Sequence, residues 1–108
     1  TTAMKDFVKR LYTTCLGRTP SDSDVKYWAD QLAAGTLTGS DAARKFFTSK
    51  EFTGRNYSND EYVNRLYMTF LNRKCSASER ESWVNKLNAG KTRQEVLNGF
   101  AKSAVPPY

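Results

Sequence analysis

The chain repeats itself, and nothing else in it constrains the fold as much. RLYTTCLGR at residues 10–18 returns as RLYMTFLNR at residues 65–73. In the same register Arg10/Arg65, Leu11/Leu66, Tyr12/Tyr67, Leu16/Leu71, Arg18/Arg73, Trp28/Trp83, Leu32/Leu87 and Gly35/Gly90 are identical. One residue is deleted after the glycine of the second copy, and the match resumes with Thr38/Thr92, Phe46/Phe100 and Ser49/Ser103. Two stretches this alike are two copies of one supersecondary unit. A unit of this size cannot bury its apolar face alone, and a chain of 108 residues has room for a single core. We therefore expect one domain over residues 1–108. Repeat unit one spans 7–52 and repeat unit two spans 62–103, joined by TGRNYS at 53–58.

Each unit reads as three helices. Phe7, Leu11 and Cys15 recur every fourth residue and are flanked by Val8, Tyr12 and Leu16. At 100° per residue these six fall on one half of a helix, with Lys9, Arg10, Thr13 and Thr14 on the other. The second copy repeats the face with Tyr62, Val63, Leu66, Tyr67, Phe70 and Leu71. So wide a face belongs to a helix touched on two sides, so the first helix of each unit should form the central pair. Capping boxes mark the starts: Ser21 with Asp24, Thr38 with Asp41, Ser58 with Glu61, Ser76 with Glu79 and Thr92 with Glu95. Gly17 and Asn72 stop the first helices, and Gly35 and Gly90 the second, because these residues accept the left-handed conformation of a helix end. Without strand-like alternation, the expectation is an all-α fold. Its six helices would form two pseudo-symmetric three-helix units packed around one core.

The chain has no histidine. That removes the commonest general base, the Ser–His and Cys–His nucleophile pairs and every histidine metal site. No acid, base and nucleophile are matched elsewhere, so an enzyme is not expected. Asp22, Asp24, Asp60 and Glu61 lack the spacing of a calcium loop, whose next ligand position after Asp24 is Lys26, and capping explains Asp24 and Glu61. We expect neither metal nor cofactor. The net charge of +6 favours encounter with an acidic polymer. The basic residues are scattered, however, with Lys9-Arg10, Arg44-Lys45 and Arg73-Lys74 the adjacent pairs, so nucleic acid is not the expected partner. No apolar run reaches the length of a bilayer span. A chain opening at Thr1 reads as a mature fragment or an excised domain.

The first copy carries FVKRLYTTCLGRTP, KYWADQL and RKFFTSKEF; the second carries YVNRLYMTFLNRKC, ESWVNKL and LNGFAKS. Over nearly the whole chain this pattern resembles a bacterial family defined as a domain of unknown function, DUF4214. It is more distantly similar to the helical linker domains of phycobilisomes. Departures are Asn72 for the usual glycine, Cys75 for proline, and the tail SAVPPY where a further Glu-Phe belongs. The resemblance supplies no catalytic residue. It implies a module of a secreted or surface-attached bacterial protein, often repeated and often beside wall-lytic or carbohydrate-active domains. The expected function is thus non-catalytic and extracellular or at the bacterial cell surface: binding cell-wall or other carbohydrate polymer, or acting as a spacer. The rival is a helical scaffold that binds only protein.

Six sets of residues bear on that choice. Trp28 and Trp83 sit on the apolar stripe of their helices, four residues before Leu32 and Leu87, and are expected to be largely buried core residues, not sugar platforms. Tyr27 lies off the stripe and its repeat mate is Ser82, so it is either an exposed aromatic or a flank contact. Tyr57, in the joining loop, is a second candidate contact for carbohydrate. Arg18 and Arg73 follow a helix end in both copies, where an arginine bonds the last carbonyls, pairs with a carboxylate or holds an anion; the repetition favours a structural role. Cys15 stands where the other copy has Phe70, and Cys75 where it has Pro20. Either they form a bridge between the halves, which the implied secreted setting permits, or one is a buried thiol and the other a surface thiol. Asn56-Tyr57-Ser58 has the form of a glycosylation tripeptide, without meaning in a bacterial protein.

Overall fold

Helices begin where the hydroxyl caps stand. In the computed structural model, which describes residues 2–104, α1 (Thr2–Leu11) runs on into a π-helical turn (Tyr12–Leu16). It is followed by α2 (Asp22–Ala34), α3 (Gly39–Phe47), α4 (Lys50–Thr53), α5 (Asn59–Leu71), α6 (Ala77–Asn88) and α7 (Arg93–Ala104). Ser21 with Asp24, Thr38 with Asp41 and Ser76 with Glu79 form reciprocal capping boxes. Thr92 and Glu95 also bond in both directions. Ser58 accepts from the Glu61 amide, while the Glu61 carboxylate turns to Arg65. Gly17, Gly35 and Asn72 take the left-handed conformation. The fold is all-helical among the described residues, and no helix of them is long and apolar enough to cross a membrane. The last residues of the tail, 105–108, lie outside the described residues.

The helix count differs from the expected six. The extra element is α4, a single turn that Ser49 caps by accepting from the Phe52 amide, and it drives the Phe52 ring into the core. The other six are the expected helices, and their packing repeats with the sequence. α2 lies on α1 as α6 lies on α5, and α3 meets the π turn as α7 meets α5. Tyr12 meets Phe46 edge-on at 5.0 Å, and Tyr67 meets Phe100 at 4.9 Å. Trp28 Nε1 donates to Tyr12 Oη at 3.1 Å, and Trp83 Nε1 to Tyr67 Oη at 3.0 Å. The buried side chains of both units form one continuous core.

Two expectations need correction and one is refined. First, Thr14 does not face solvent: it is 5% exposed and its mate Thr69 is 0% exposed. Their hydroxyls hydrogen-bond to each other where α5 crosses the π turn. Around this contact Arg10 Nε donates to the Thr69 carbonyl at 2.9 Å, and Arg65 Nη1 donates to the Thr14 carbonyl. Each copy's arginine thus closes on the other copy's threonine, an isologous arrangement about a pseudo-twofold axis. Second, Trp28 and Trp83 are largely covered, as expected, but they pack against the margin of the core and not within it. Their indole N–H groups need Tyr12 and Tyr67 hydroxyls at the rim, which holds the rings at the edge. Third, the copies are unequal. α2 buries Val25, Ala29 and Leu32, whereas α6 fully buries none of its residues: Arg80, Val84 and Leu87, at the matching positions, stay partly exposed.

The π turn also belongs to one copy. The Arg10 carbonyl accepts from the Thr14 hydroxyl at 2.6 Å and from the Thr13 hydroxyl at 3.2 Å. Hydroxyls that bond back in this way compete with the amide four residues on and loosen the helix. In the second copy Met68 replaces Thr13, and α5 remains α-helical through Leu71.

Candidate functional site

The repeated arginines serve the fold. Arg18 lies over the Tyr12 ring at 5.1 Å and pairs with Glu51 at 3.6 Å. Arg73 lies over Tyr67 at 5.2 Å and grips Glu79 with two nitrogens, at 2.9 and 2.8 Å. Those bonds, with help from the Ser76 amide, hold the Glu79 carboxyl at about 2. The first copy has the shorter Asp24 at that position, and its arginine goes to Glu51 instead. A third arginine caps the π turn: Arg55 Nη2 donates to the Leu16 carbonyl at 2.6 Å, and its guanidinium lies where a side chain at Gly17 would meet it.

Cys15 and Cys75 are free, and the bridge weighed from the sequence is not made. Cys15 lies fully buried beside Thr14, and burial pushes its thiol up to about 12. Cys75 sits on the side chain of Asn64, whose Oδ1 accepts from its amide at 3.3 Å. Cys15 is part of the core, whereas Cys75 follows α5 and packs against the core's margin, held by Asn64. Tyr27 is the exposed aromatic of its two readings, 63% accessible and edge-on to Trp28 at 5.5 Å.

Tyr57 marks the place where side chains capable of binding come together. A cleft of about 440 Å³ opens at the seam of the two units. Phe47, Phe52, Tyr57 and Tyr62 wall it, and Thr48, Thr53, Asn56, Gln94 and Arg93 supply its polar lining. Phe47 and Phe52 stack at 4.9 Å, and Tyr57 leans on Phe52 at 5.4 Å. Tyr57 is held from outside by the Arg65 guanidinium, 4.2 Å from its ring, and from below by Arg93, which bonds its carbonyl. Asn56, at φ 52°, turns the chain at the lip. Burial raises the Tyr62 hydroxyl above its ordinary range, only partly offset by Arg93, so at neutral pH it is a donor and donates to the Arg93 carbonyl at 3.2 Å. Aromatic faces beside hydrogen-bonding side chains can hold a ring that carries hydroxyls.

Of the candidates read from the sequence, Tyr57 lies in this cleft; Tyr27, Arg18 and Arg73 lie elsewhere. Sequence reasoning missed Arg93, Gln94, Asn56 and the Phe47–Phe52 wall. A signal was present, because Arg93 and Gln94 stand where the first copy has Gly39 and Ser40, and Tyr57 where it has Thr2. Among the described residues no group of three or more Cys, Asp or Glu is placed to hold a metal.

Fold and seam together define a duplicated all-helical module with a cleft at its seam that the repeat does not duplicate. The chain belongs to the family described as Domain of unknown function (DUF4214), whose profile matches it twice, over residues 1–56 and 43–104. The two matches share residues 43–56, the stretch that carries Phe47, Phe52 and Asn56, so the seam is counted in both copies. No curated protein and no solved structure shows significant similarity to the chain, and the distant likeness to phycobilisome linkers finds no support in these comparisons.

Proposed function

We propose that the domain is a non-catalytic binding module of an extracellular or surface-attached bacterial protein, and that it contacts carbohydrate polymer through the seam cleft. The observation that carries this is the lining: aromatic walls, two amides, two threonine hydroxyls and one guanidinium converge there, and no carboxylate does. A hydrolase acting on sugars would need a pair of carboxyl groups across its cleft. The groups most strongly perturbed, Cys15, Tyr62 and Glu79, are shifted away from neutrality, opposite to the tuning that general acid–base work needs. The extracellular setting rests on the resemblance, without help from a disulfide.

Co-sedimentation with insoluble peptidoglycan and with chitin tests the reading. Retention of the protein, and at least about tenfold weaker retention of Tyr57→Ala with unchanged circular dichroism, is the expected result. No retention on either polymer, or retention indifferent to Tyr57 and Gln94, would remove the cleft from consideration. One observation favours the protein-scaffold reading. An apolar groove of about 180 Å³ runs over Tyr12, Leu16, Trp28 and Phe46, with Tyr27 exposed at the neighbouring edge of α2. That reading gains if Tyr27→Ala weakens capture of a partner protein and leaves polymer retention unchanged.

A further inference from the structure

The seam cleft holds a fixed cation. Arg93 Nη2 donates to the Tyr57 carbonyl at 2.6 Å and to Asn59 Oδ1 at 2.9 Å, and Nε donates to the same Oδ1 at 3.2 Å. The guanidinium lies over the Tyr62 ring at 4.8 Å. Its remaining nitrogen, Nη1, has no hydrogen-bond partner among the described residues. A guanidinium pinned in this way gives up little rotamer freedom when a ligand arrives. No Asp or Glu lines the cleft to neutralise it. The neighbours are neutral: Thr48, Thr53, Asn56, and Gln94, whose amide nitrogen is engaged with Asn98 and whose carbonyl is not.

Resting on the carbohydrate reading above, we infer that the cleft takes a saccharide bearing a carboxylate, with the carboxylate at Arg93 Nη1 and a sugar face against Tyr57. A carboxylate fits better than a phosphate. One free guanidinium nitrogen offers two N–H groups and one positive charge, enough for a monoanion, and the cleft supplies no second cation for a dianion. The site is not a by-product of the repeat, since Gly39 and Ser40 occupy the positions matching Arg93 and Gln94. Two sources share the chemistry: a uronic acid, and an amino sugar with a lactyl ether.

Nitrogen-15 NMR titration of the chain decides it, with trigalacturonic acid, its fully methyl-esterified form, N-acetylmuramic acid and inorganic phosphate as probes. The expected result is that one of the two carboxylated sugars binds at least about tenfold tighter than the ester, the size of one charge-assisted hydrogen bond. The Arg93 Nε and the Asn56 and Gln94 side-chain amides should shift. Whichever acid binds tighter identifies the source. Equal binding of acid and ester at the cleft overturns the carboxylate inference and leaves the carbohydrate reading intact. Binding of phosphate as tight as that of the acids overturns it in favour of a simple anion site. No response from any sugar, or shifts scattered over surface lysines, removes both. Arg93→Gln should abolish the acid–ester difference; if its loss from Tyr57 and Asn59 unfolds the loop, the acid–ester comparison on the unaltered protein still decides.

Discussion

Replacing Thr14 and Thr69 by valine, singly and together, should give an unequal and non-additive pattern. A hydroxyl carries one hydrogen. Thr14 lies 2.6 Å from the Arg10 carbonyl, which can only accept, so its hydrogen goes there and Thr69 must donate to Thr14. Thr69→Val then removes one donor and strands nothing, a loss of about 1 kcal/mol. Thr14→Val strands the Thr69 hydroxyl at 0% exposure, with the Cys15 sulfur, a poor acceptor, as its alternative. That variant should lose about 2–3 kcal/mol. The double variant strands nothing and should lose about 1–2 kcal/mol, less than the sum of the two. Urea unfolding with a constant slope measures all three. Equal single losses that add in the double variant would refute the assigned hydrogen direction and the role of the pair at the axis.

Trp28→Ala should lose about 2–3 kcal/mol, short of a fully buried aromatic because the ring lies at the margin of the core, and Trp28→Phe about 1 kcal/mol for the Tyr12 bond; urea midpoints check both. Glu79, held near 2 by Arg73 and Ser76 against an ordinary 4.5, contributes stability that is fully present above about 4.5 and is lost as pH falls towards about 2. Melting temperature followed over that window should fall less steeply in Glu79→Gln. A thiol reagent should modify Cys75 promptly in the native protein and Cys15 only on unfolding, because Cys15 is buried and its thiolate disfavoured.

Local chemistry made the frame readable. The hydroxyl–carboxylate caps and the left-handed stops at Gly17, Gly35 and Asn72 depend on residues close in sequence, and the structure has them where the sequence implies. Periodicity placed α1 and α5 at the centre. It failed at Thr14 because it reads one helix at a time: a polar residue on the apparent solvent side becomes buried when an identical residue from the other copy meets it there. Identity of Arg10/Arg65 and Thr14/Thr69, polar residues repeated without a capping role, was the available clue. The cleft was least readable. Its wall comes from α3, α4, the joining loop, α5 and α7, and Arg93 is positioned by Tyr57 and Asn59, far from it in the chain.

The unequal burial of α2 and α6 gives two helices at matching places in the repeat different lifetimes. A helix opens locally at a cost set by the apolar surface it must expose. α2 must pull Val25, Ala29 and Leu32 from the core, whereas α6 need release only Trp83, Val84 and Leu87 from its margin. Amide hydrogens of α6 should therefore exchange with solvent well before those of α2, while α1 and α5 exchange last. When α6 lifts, Tyr67 loses the indole that bonds it and the second unit shows an aromatic surface that the first keeps covered. The duplicated domain should thus open first at one end, although both ends are built on the same plan.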